Sequence, residues 1–341
     1  LGLLIHSTKK VKIIGDKSLS KRDFLRVTKP LKKFGANFKT NNGKLPIVIN
    51  GAKNPRPINY LENKGSAQCK SSVMLAALNA PGKTIIKAKK SRDHTENIFK
   101  HLGIPIIVKR NKNNDEIKIQ GQKFFKSFKY KVPSDPSSCA FFIVLTLLSK
   151  NCELKIKNVN VNHSRIGYIK ILNKMGAKIK IKNIKKRYGE KQADIFVKSQ
   201  TSLRKINCPP NLNSNLIDEF LIIFLAAAKA NGISSFTNLG ELNKKESPRL
   251  KLGSKLLNQL GIKTILRKDS IKIYGSPSID LKKTIIIKNY FKDHRIFMTS
   301  VIAACTFGGK WKIDDMDSYK SSFPSFLNIL KKLGYKFKVN T

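Results

Sequence analysis

Little in this chain points to metal, redox or membrane chemistry. Cys69, Cys139, Cys152, Cys208 and Cys305 are scattered, odd in number and never spaced CxxC, which argues against a disulfide framework or a structural zinc and for a reduced compartment. No apolar run approaches the 18 residues that a membrane-spanning helix needs. The nucleotide-binding strings GxxxxGK[ST] and GxGxxG are both missing. No signal peptide is visible, and the first residue is Leu1 rather than methionine, so the true N-terminus is expected upstream. Acidic residues are few, 21 against 68 basic ones, for a net charge of +47. Such an excess invites a nucleic-acid partner through counterion release. Against that, only eleven of the basic residues are Arg, and the lysines run through every surface segment without aromatic interleaving or a dedicated tail. The Lys/Asn/Ile bias reads as a chain-wide habit and a solvated surface. A cytoplasmic protein with no nucleic-acid or membrane partner is therefore expected, and a monomer is the expected state.

What the chain does have is a repeat. Five predicted helices end in an apolar residue and a glycine: Phe34-Gly35, Leu102-Gly103, Met175-Gly176, Leu260-Gly261 and Leu333-Gly334, at spacings of 68, 73, 85 and 73 residues. Each reads as an amphipathic helix, a left-handed glycine and a returning strand. A period near 70 is too long for common solenoids and too short for independent domains, so neighbouring copies must share a core. The Pro/Ser cluster from Val132 to Ser138 looks like a domain crossing, with Asp135 as N-cap and Pro136 at the first helical position.

Where lysine is the default, an arginine marks a place for a planar fork that grips phosphate or carboxylate. Arg22, Arg92, Arg165, Arg249 and Arg295 stand in suggestive contexts. Arg165 reads as a helix-start residue without an assigned role. Arg22 closes the polar turn Gly15-Asp16-Lys17-Ser18-Leu19-Ser20-Lys21, which as local structure is a helix cap. Gly65-Ser66-Ala67-Gln68-Cys69-Lys70-Ser71-Ser72 is a small-residue junction ahead of an apolar helix, either an ordinary cap or an anion seat at the helix dipole. Ser91-Arg92-Asp93-His94-Thr95-Glu96 holds more polar groups than a cap requires. Metal binding by His94 and Glu96 is disfavoured, since positions i and i+2 do not share a helix face. Asp218-Glu219 heads the very apolar stretch Phe220 to Ala228, where burial would raise a carboxyl pKa. Lys245-Glu246-Ser247-Pro248-Arg249 puts cation, carboxylate and arginine at one helix start, with Ser247 as the expected N-cap. Asp293-His294-Arg295 places an arginine in a first turn, against the dipole, as if for an external anion.

In order and at similar intervals, eight strings resemble the 5-enolpyruvylshikimate-3-phosphate synthase family: Gly15-Asp16-x-Ser18-Leu19-x-Lys21-Arg22, Ser66-Ala67-Gln68-x-Lys70-Ser71, Arg92-Asp93-His94-Thr95-Glu96, Asp135-Pro136-Ser137-Ser138, Ile217-Asp218-Glu219, Lys245-Glu246-Ser247-x-Arg249, Asp293-His294-Arg295 and Ser322-Phe323-Pro324. The resemblance runs from Leu3 to about Val339, and the Ser-Ala-Gln and Arg-Asp-His-Thr-Glu forms look like the branch with glyphosate-insensitive members. It implies an α/β fold of two inside-out domains built from six βαβαββ units. Five units would be present here, two in a first, incomplete domain over residues 1–132 and three in a second over 133–341. The implied reaction moves the enolpyruvyl group of phosphoenolpyruvate to the 5-hydroxyl of shikimate 3-phosphate and releases phosphate through a tetrahedral ketal, with no metal and no organic cofactor. By the family pattern Arg22, Gln68, Arg249 and Arg295 would hold phosphoenolpyruvate, and Ser66, Ala67, Gln68, Arg92, Asp218 and Lys245 would hold shikimate 3-phosphate. Asp218, Lys245 and Glu246 are the acid/base candidates, their individual roles left open.

The departures are also specific. The family's Pro-Gly-Asp-Lys-Ser and Gly-Asn-x-Gly-Thr strings are missing, which reads as an N-terminal truncation and predicts low or no activity for these residues alone. Asp23 follows Arg22 where Pro is usual, Asn243 and Pro248 replace an Arg and an Asp, and Lys320 sits one place before a usual loop lysine. The alternatives are a UDP-N-acetylglucosamine enolpyruvyl transferase, disfavoured because no cysteine lies in a polar, Gly-rich loop, and a noncatalytic basic nucleic-acid-binding protein.

Overall fold

Left-handed glycines set the course of the chain after each amphipathic helix. In the computed structural model, which describes residues 1–16, 19–121, 126–200 and 202–339, the five repeat glycines have φ of +101° (Gly35), +69° (Gly103), +98° (Gly176), +81° (Gly261) and +92° (Gly334). At the last four the glycine N–H donates to a carbonyl three residues back, on Lys100, Asn173, Asn258 and Lys331. The next N–H donates to the carbonyl five back, on Phe99, Leu172, Leu257 and Leu330. These paired bonds satisfy carbonyls that a helix end leaves bare, and the glycine pays no Cβ penalty for the turn.

Contacts divide the chain into two units, Leu1–Lys131 with Lys186–Glu190, and Val132–Lys185 with Lys191–Thr341. The first begins with β1 (Val11–Ile13), α1 (Leu25–Lys32), β2 (Asn37–Asn41) and β3 (Lys44–Asn50), in an antiparallel sheet of order β1-β3-β2. A full βαβαββ unit follows: β4 (Asn59–Glu62), α2 (Ala67–Ala77), β5 (Lys83–Lys89), α3 (His94–His101), β6 (Ile106–Arg110) and β7 (Asn114–Gln120). Its sheet order is β4-β5-β7-β6, with β4 parallel to β5 and the rest antiparallel.

The second unit repeats the theme with shorter first strands. Ser134 bridges Val159 in parallel ahead of α4 (Pro136–Leu148), β8 (Glu153–Asn160), α5 (Gly167–Lys174), β9 (Lys180–Arg187) and β10 (Glu190–Lys198). Next come β11 (Leu203–Arg204), α6 (Phe220–Ala228), β12 (Ala230–Asn231), β13 (Ile233–Phe236), α7 (Arg249–Gln259), β14 (Thr264–Leu266) and β15 (Ile271–Tyr274). The last copy is β16 (Leu281–Ile287), α8 (His294–Thr306), β17 (Gly308–Ile313) and α9 (Phe326–Lys332), with β16 parallel to β17. Among the described residues no strand follows Gly334, so the strand expected there is not formed.

Burial explains which helices lie inside. All nine residues of α6, Phe-Leu-Ile-Ile-Phe-Leu-Ala-Ala-Ala, are buried, as are eleven of the thirteen in α4. A helix apolar on every side has no face for water. In keeping with that, α4, α6 and α8 pack against one another, and the Phe220, Phe224 and Phe236 rings meet at 5.0 to 6.1 Å. Strands of the same unit pack on these helices, β8 on α4, β15 on α6 and β17 on α8, and β13 and β15 alternate buried residues with more exposed ones. Burying the six large side chains of α6 contributes on the order of 10–20 kcal/mol before entropy is counted. A charge at Ile223, which is wholly buried, would break that centre.

Candidate active site

In the second unit, three helix starts that are far apart in sequence converge on one side chain. Arg249, the first residue of α7, is 1% exposed and extends its guanidinium to three carboxylates. Its Nε donates to Asp293 Oδ2 at 2.9 Å, its Nη2 meets Glu246 Oε2 at 2.5 Å, and its Nη1 lies 3.6 Å from Asp218 Oδ1. Lys245 Nζ stands 3.2 Å from the same Asp218 oxygen. Arg295 Nη1 donates to the Asp218 backbone carbonyl at 2.8 Å. Asp218, Lys245, Glu246, Arg249 and Arg295 are thus brought into one cluster, in which Arg249 is buried and the other four are partly open.

Asp293 anchors the cluster from below. Its carboxylate accepts the amides of Arg295 (2.8 Å) and Ile296 (3.4 Å), which caps α8, and the Ser247 hydroxyl at 2.6 Å. Burial alone would lift this carboxyl, but Arg249, Ser247 and the Arg295 amide hold it below the usual carboxylate range. His294 beside it has its imidazole pushed down by burial and then by Arg295.

Ser247 therefore does not act as the expected N-cap: α7 begins at Arg249 with Pro248 in the cap position and without a side-chain bond from it. Proline carries no hydroxyl or carboxylate to accept the first-turn amides. Asn243 does this instead, its Oδ1 accepting from Leu250 N at 3.1 Å and Lys251 N at 3.4 Å. The two departures noted in the sequence are one compensated exchange.

In the first unit, Ser66 is the N-cap of α2, its Oγ accepting from Cys69 N at 3.3 Å. The preceding turn is folded around buried Glu62, which accepts the amides of Lys64 (3.2 Å) and Ser66 (3.0 Å). Ala67 and Gln68 follow in the first turn, Gln68 exposed and Ala67 half-buried. Arg92 precedes α3, and buried Asp93 next to it is gripped by Arg110 Nη2 at 2.6 Å. The two segments are joined by Lys70, whose Nζ meets Glu96 Oε1 at 2.5 Å and donates to the Arg92 carbonyl at 2.9 Å. His94 Nδ1 pairs with Glu190 Oε1 at 2.8 Å, so the imidazole sits on a carboxylate of the hairpin tip that belongs to this unit.

Arg22 follows a short 3₁₀ turn, its amide bonded to the Leu19 carbonyl at 3.1 Å. Lys17 and Ser18 of the same string lie outside the described residues. Asp23 Oδ1 accepts the Leu25 amide at 2.8 Å and so caps α1. Arg165 donates to Asp135 Oδ1 (2.7 Å) and Ser137 Oγ (2.9 Å), bracing the start of α4. Asp135 itself accepts the Ser138 amide at 2.8 Å, with Pro136 at the first helical position. Lys320 pairs with Asp317 on an exposed 3₁₀ turn.

Lys70, Glu96 and Asp293 are among the buried polar residues of these sites to which the sequence alone assigned no ligand role. A signal for Lys70 was present: it stands at i, i+3, i+4 and i+7 with Val73, Met74 and Ala77 on the buried face of α2. Among the described residues no group of three His, Cys, Asp or Glu is placed to hold a metal ion, and no helix is long and apolar enough to cross a membrane.

Many known proteins match this chain in sequence or fold. The family model for EPSP synthase (3-phosphoshikimate 1-carboxyvinyltransferase) matches residues 1–330. A 3-phosphoshikimate 1-carboxyvinyltransferase of Ruthia magnifica subsp. Calyptogena magnifica is 40% identical over 334 residues, covering 98% of this chain and 75% of the relative. The enzyme of that name from Caldicellulosiruptor bescii is 38% identical over 333 residues, 97% of this chain and 76% of its own. The solved EPSP synthase from Acinetobacter baumannii superposes with a TM-score of 0.87 at 33% identity, over 100% of this chain and 77% of that one. The enolpyruvyl transferase NikO from Streptomyces tendae, at 14% identity and a TM-score of 0.75, shares the fold. Eight sequence strings, the repeated units and these matches agree that the chain belongs to the EPSP synthase (3-phosphoshikimate 1-carboxyvinyltransferase) family.

Proposed function

We propose that this protein transfers the enolpyruvyl group of phosphoenolpyruvate to the 5-hydroxyl of shikimate 3-phosphate, giving 5-enolpyruvylshikimate 3-phosphate and phosphate. The observation that carries the roles is the single cluster of Asp218, Lys245, Glu246, Arg249 and Arg295. Asp218 takes the hydroxyl proton as oxygen bonds to C2 of phosphoenolpyruvate, and Lys245 and Glu246, the other two acid/base candidates, handle the proton at the methylene carbon. Loss of phosphate from the resulting ketal, with a proton removed from the new methyl group, restores the enol.

In this reading Arg22, Gln68 and Arg295 contact phosphoenolpyruvate, and Arg249 serves that subsite indirectly, as a buried brace that aims Glu246 and Asp218, since its own fork is engaged by carboxylates; Ser66, Ala67, Gln68, Arg92, Asp218 and Lys245 bind shikimate 3-phosphate. Arg295, in the first turn of α8, adds an anion-seeking guanidinium to a helix start. Fixed charge of this kind stabilises developing charge without reorganisation. The protein works as a cytoplasmic monomer, and full activity draws on a further unit beyond these residues, in keeping with relatives of which this chain covers 75%.

The test is phosphate release that depends on both substrates, measured for the chain as given and for one extended to the relatives' length, with UDP-N-acetylglucosamine as the competing acceptor. Product formed only from shikimate 3-phosphate by the extended chain supports the proposal. Turnover of the sugar nucleotide alone overturns the substrate assignment, and full turnover by the given residues overturns the need for a further unit.

A further inference from the structure

We propose that the buried Lys70–Glu96 pair is a positioning device that presents Arg92 and the Ser66–Gln68 turn as one rigid receptor for the shikimate 3-phosphate ligand. The proposal rests on the substrate reading above. Both side chains are 1% exposed, on different helices, and their charged atoms meet at 2.5 Å. A lysine and a glutamate are almost never fully buried unless paired, and replacing such a pair with apolar residues is often neutral for stability. The retained pair therefore calls for another reason, and its geometry supplies one. Lys70 Nζ spends a second proton on the Arg92 carbonyl at 2.9 Å. Its own amide donates to the Ser66 carbonyl at 3.1 Å, one turn earlier in α2.

One side chain thus joins the peptide of the arginine to the helix turn that carries the serine and glutamine. One parallel brace limits sliding of the two helices, Ser71 Oγ meeting Thr95 Oγ1 at 2.6 Å, while Arg110 of β6 holds Asp93 just ahead of α3. Glu96 keeps the ammonium aimed, because with Lys70 directed elsewhere a buried carboxylate would have no countercharge. Neither residue touches the ligand in this scheme; each acts through Arg92.

The deciding measurement is calorimetric binding of shikimate 3-phosphate, alongside thermal melting, for the wild-type chain, Lys70→Met/Glu96→Met, Glu96→Gln and Arg92→Met. The double variant keeps the volume of the pair and melts near the wild-type temperature, yet binds about tenfold more weakly because the Arg92 peptide has lost its donor. Glu96→Gln keeps an acceptor beside Lys70 but removes its countercharge, so it binds several-fold more weakly than wild type. A double variant that melts and binds like wild type overturns the positioning role while leaving the substrate reading intact, provided Arg92→Met binds poorly. Should the double variant fail to fold, a normally folded Glu96→Gln that binds like wild type refutes the role assigned to the pair. If Arg92→Met binds as tightly as wild type, the placement of Arg92 falls and the proposal with it.

Discussion

Replacing Arg249 with methionine tests the central cluster of the second unit most severely. The side chain is 2% exposed and faces Asp293, at 0%, Glu246, at 28%, and Asp218, at 14%. Glu246 is open enough to recover water, and Asp218 keeps Lys245 at 3.2 Å. Asp293 keeps only neutral donors among the contacts described here, Ser247 and two α8 amides. Removing one partner of a buried pair costs about 3–5 kcal/mol. At a urea slope of about 2 kcal/mol/M the unfolding midpoint should fall by about 1.5–2.5 M. The one tryptophan, Trp311, lies in this unit on β17, its Nε1 bonded to the Gly308 carbonyl at 2.7 Å, so fluorescence reports this unit's unfolding.

A pH arm separates loss of charge pairing from loss of packing. In the wild type the folded Asp293 carboxyl lies below its ordinary value, so its contribution is present above about pH 4 and is lost as the pH falls through the folded value. Without Arg249 the two largest lowering influences are lost, so the folded value should rise from its depressed position. The penalty is then felt at neutral pH and relieved on acidification, so the gap between variant and wild type should narrow from pH 7 to pH 4. A midpoint shift below about 0.5 M at pH 7, or an equal shift at both pH values, would refute this account of the cluster.

Three smaller perturbations probe other links. Asn243→Ala should cost about 1 kcal/mol in the same urea assay, the worth of a helix cap, whereas no loss would mean that the Leu250 and Lys251 amides manage without it. His294 has an imidazole held below its ordinary value, so the unfolded state binds protons more readily and stability should drop as the pH falls from 7 to 5; His294→Gln should flatten that slope, and an unchanged slope would locate the titration elsewhere. Gly261→Ala meets no atom within 4 Å of the added Cβ but holds φ at +81°, so it should lose about 1–2 kcal/mol from backbone strain alone, measured by thermal melting.

The repeat was legible because its physics is local: an amphipathic helix, a glycine at φ above zero and a turn can be read within fifteen residues. Arginine scarcity singled out Arg249 and Arg295, whose guanidiniums meet three carboxylates and the Asp218 carbonyl at the starts of α7 and α8, and Arg92, which precedes α3. The number of carboxylates around Arg249 was not legible, since Asp218, Glu246 and Asp293 come from three separate segments that only tertiary packing unites. Ser247 misled for a related reason. Its hydroxyl had a local use as a cap and a long-range one on Asp293, and the buried carboxylate won. Pro248 and Asn243 looked like two unrelated substitutions until the amides of α7 showed them to be partners. Beyond Gly334 the period foretold a strand, but a strand needs an edge to pair with, and sequence spacing cannot supply that.

Keeping helices at the centre and sheets at the perimeter has an evolutionary consequence. Every second position along a strand looks outward, where exchange of one polar residue for another disturbs little; Lys83 and Lys89 of β5 and Lys157 of β8 occupy such places. A lineage can let its exterior drift toward a large positive charge while α4 and α6 stay nearly invariant in character. Backbones can then remain superposable after two thirds of the letters have changed, as the 33% identity and TM-score of 0.87 with the Acinetobacter baumannii enzyme attest.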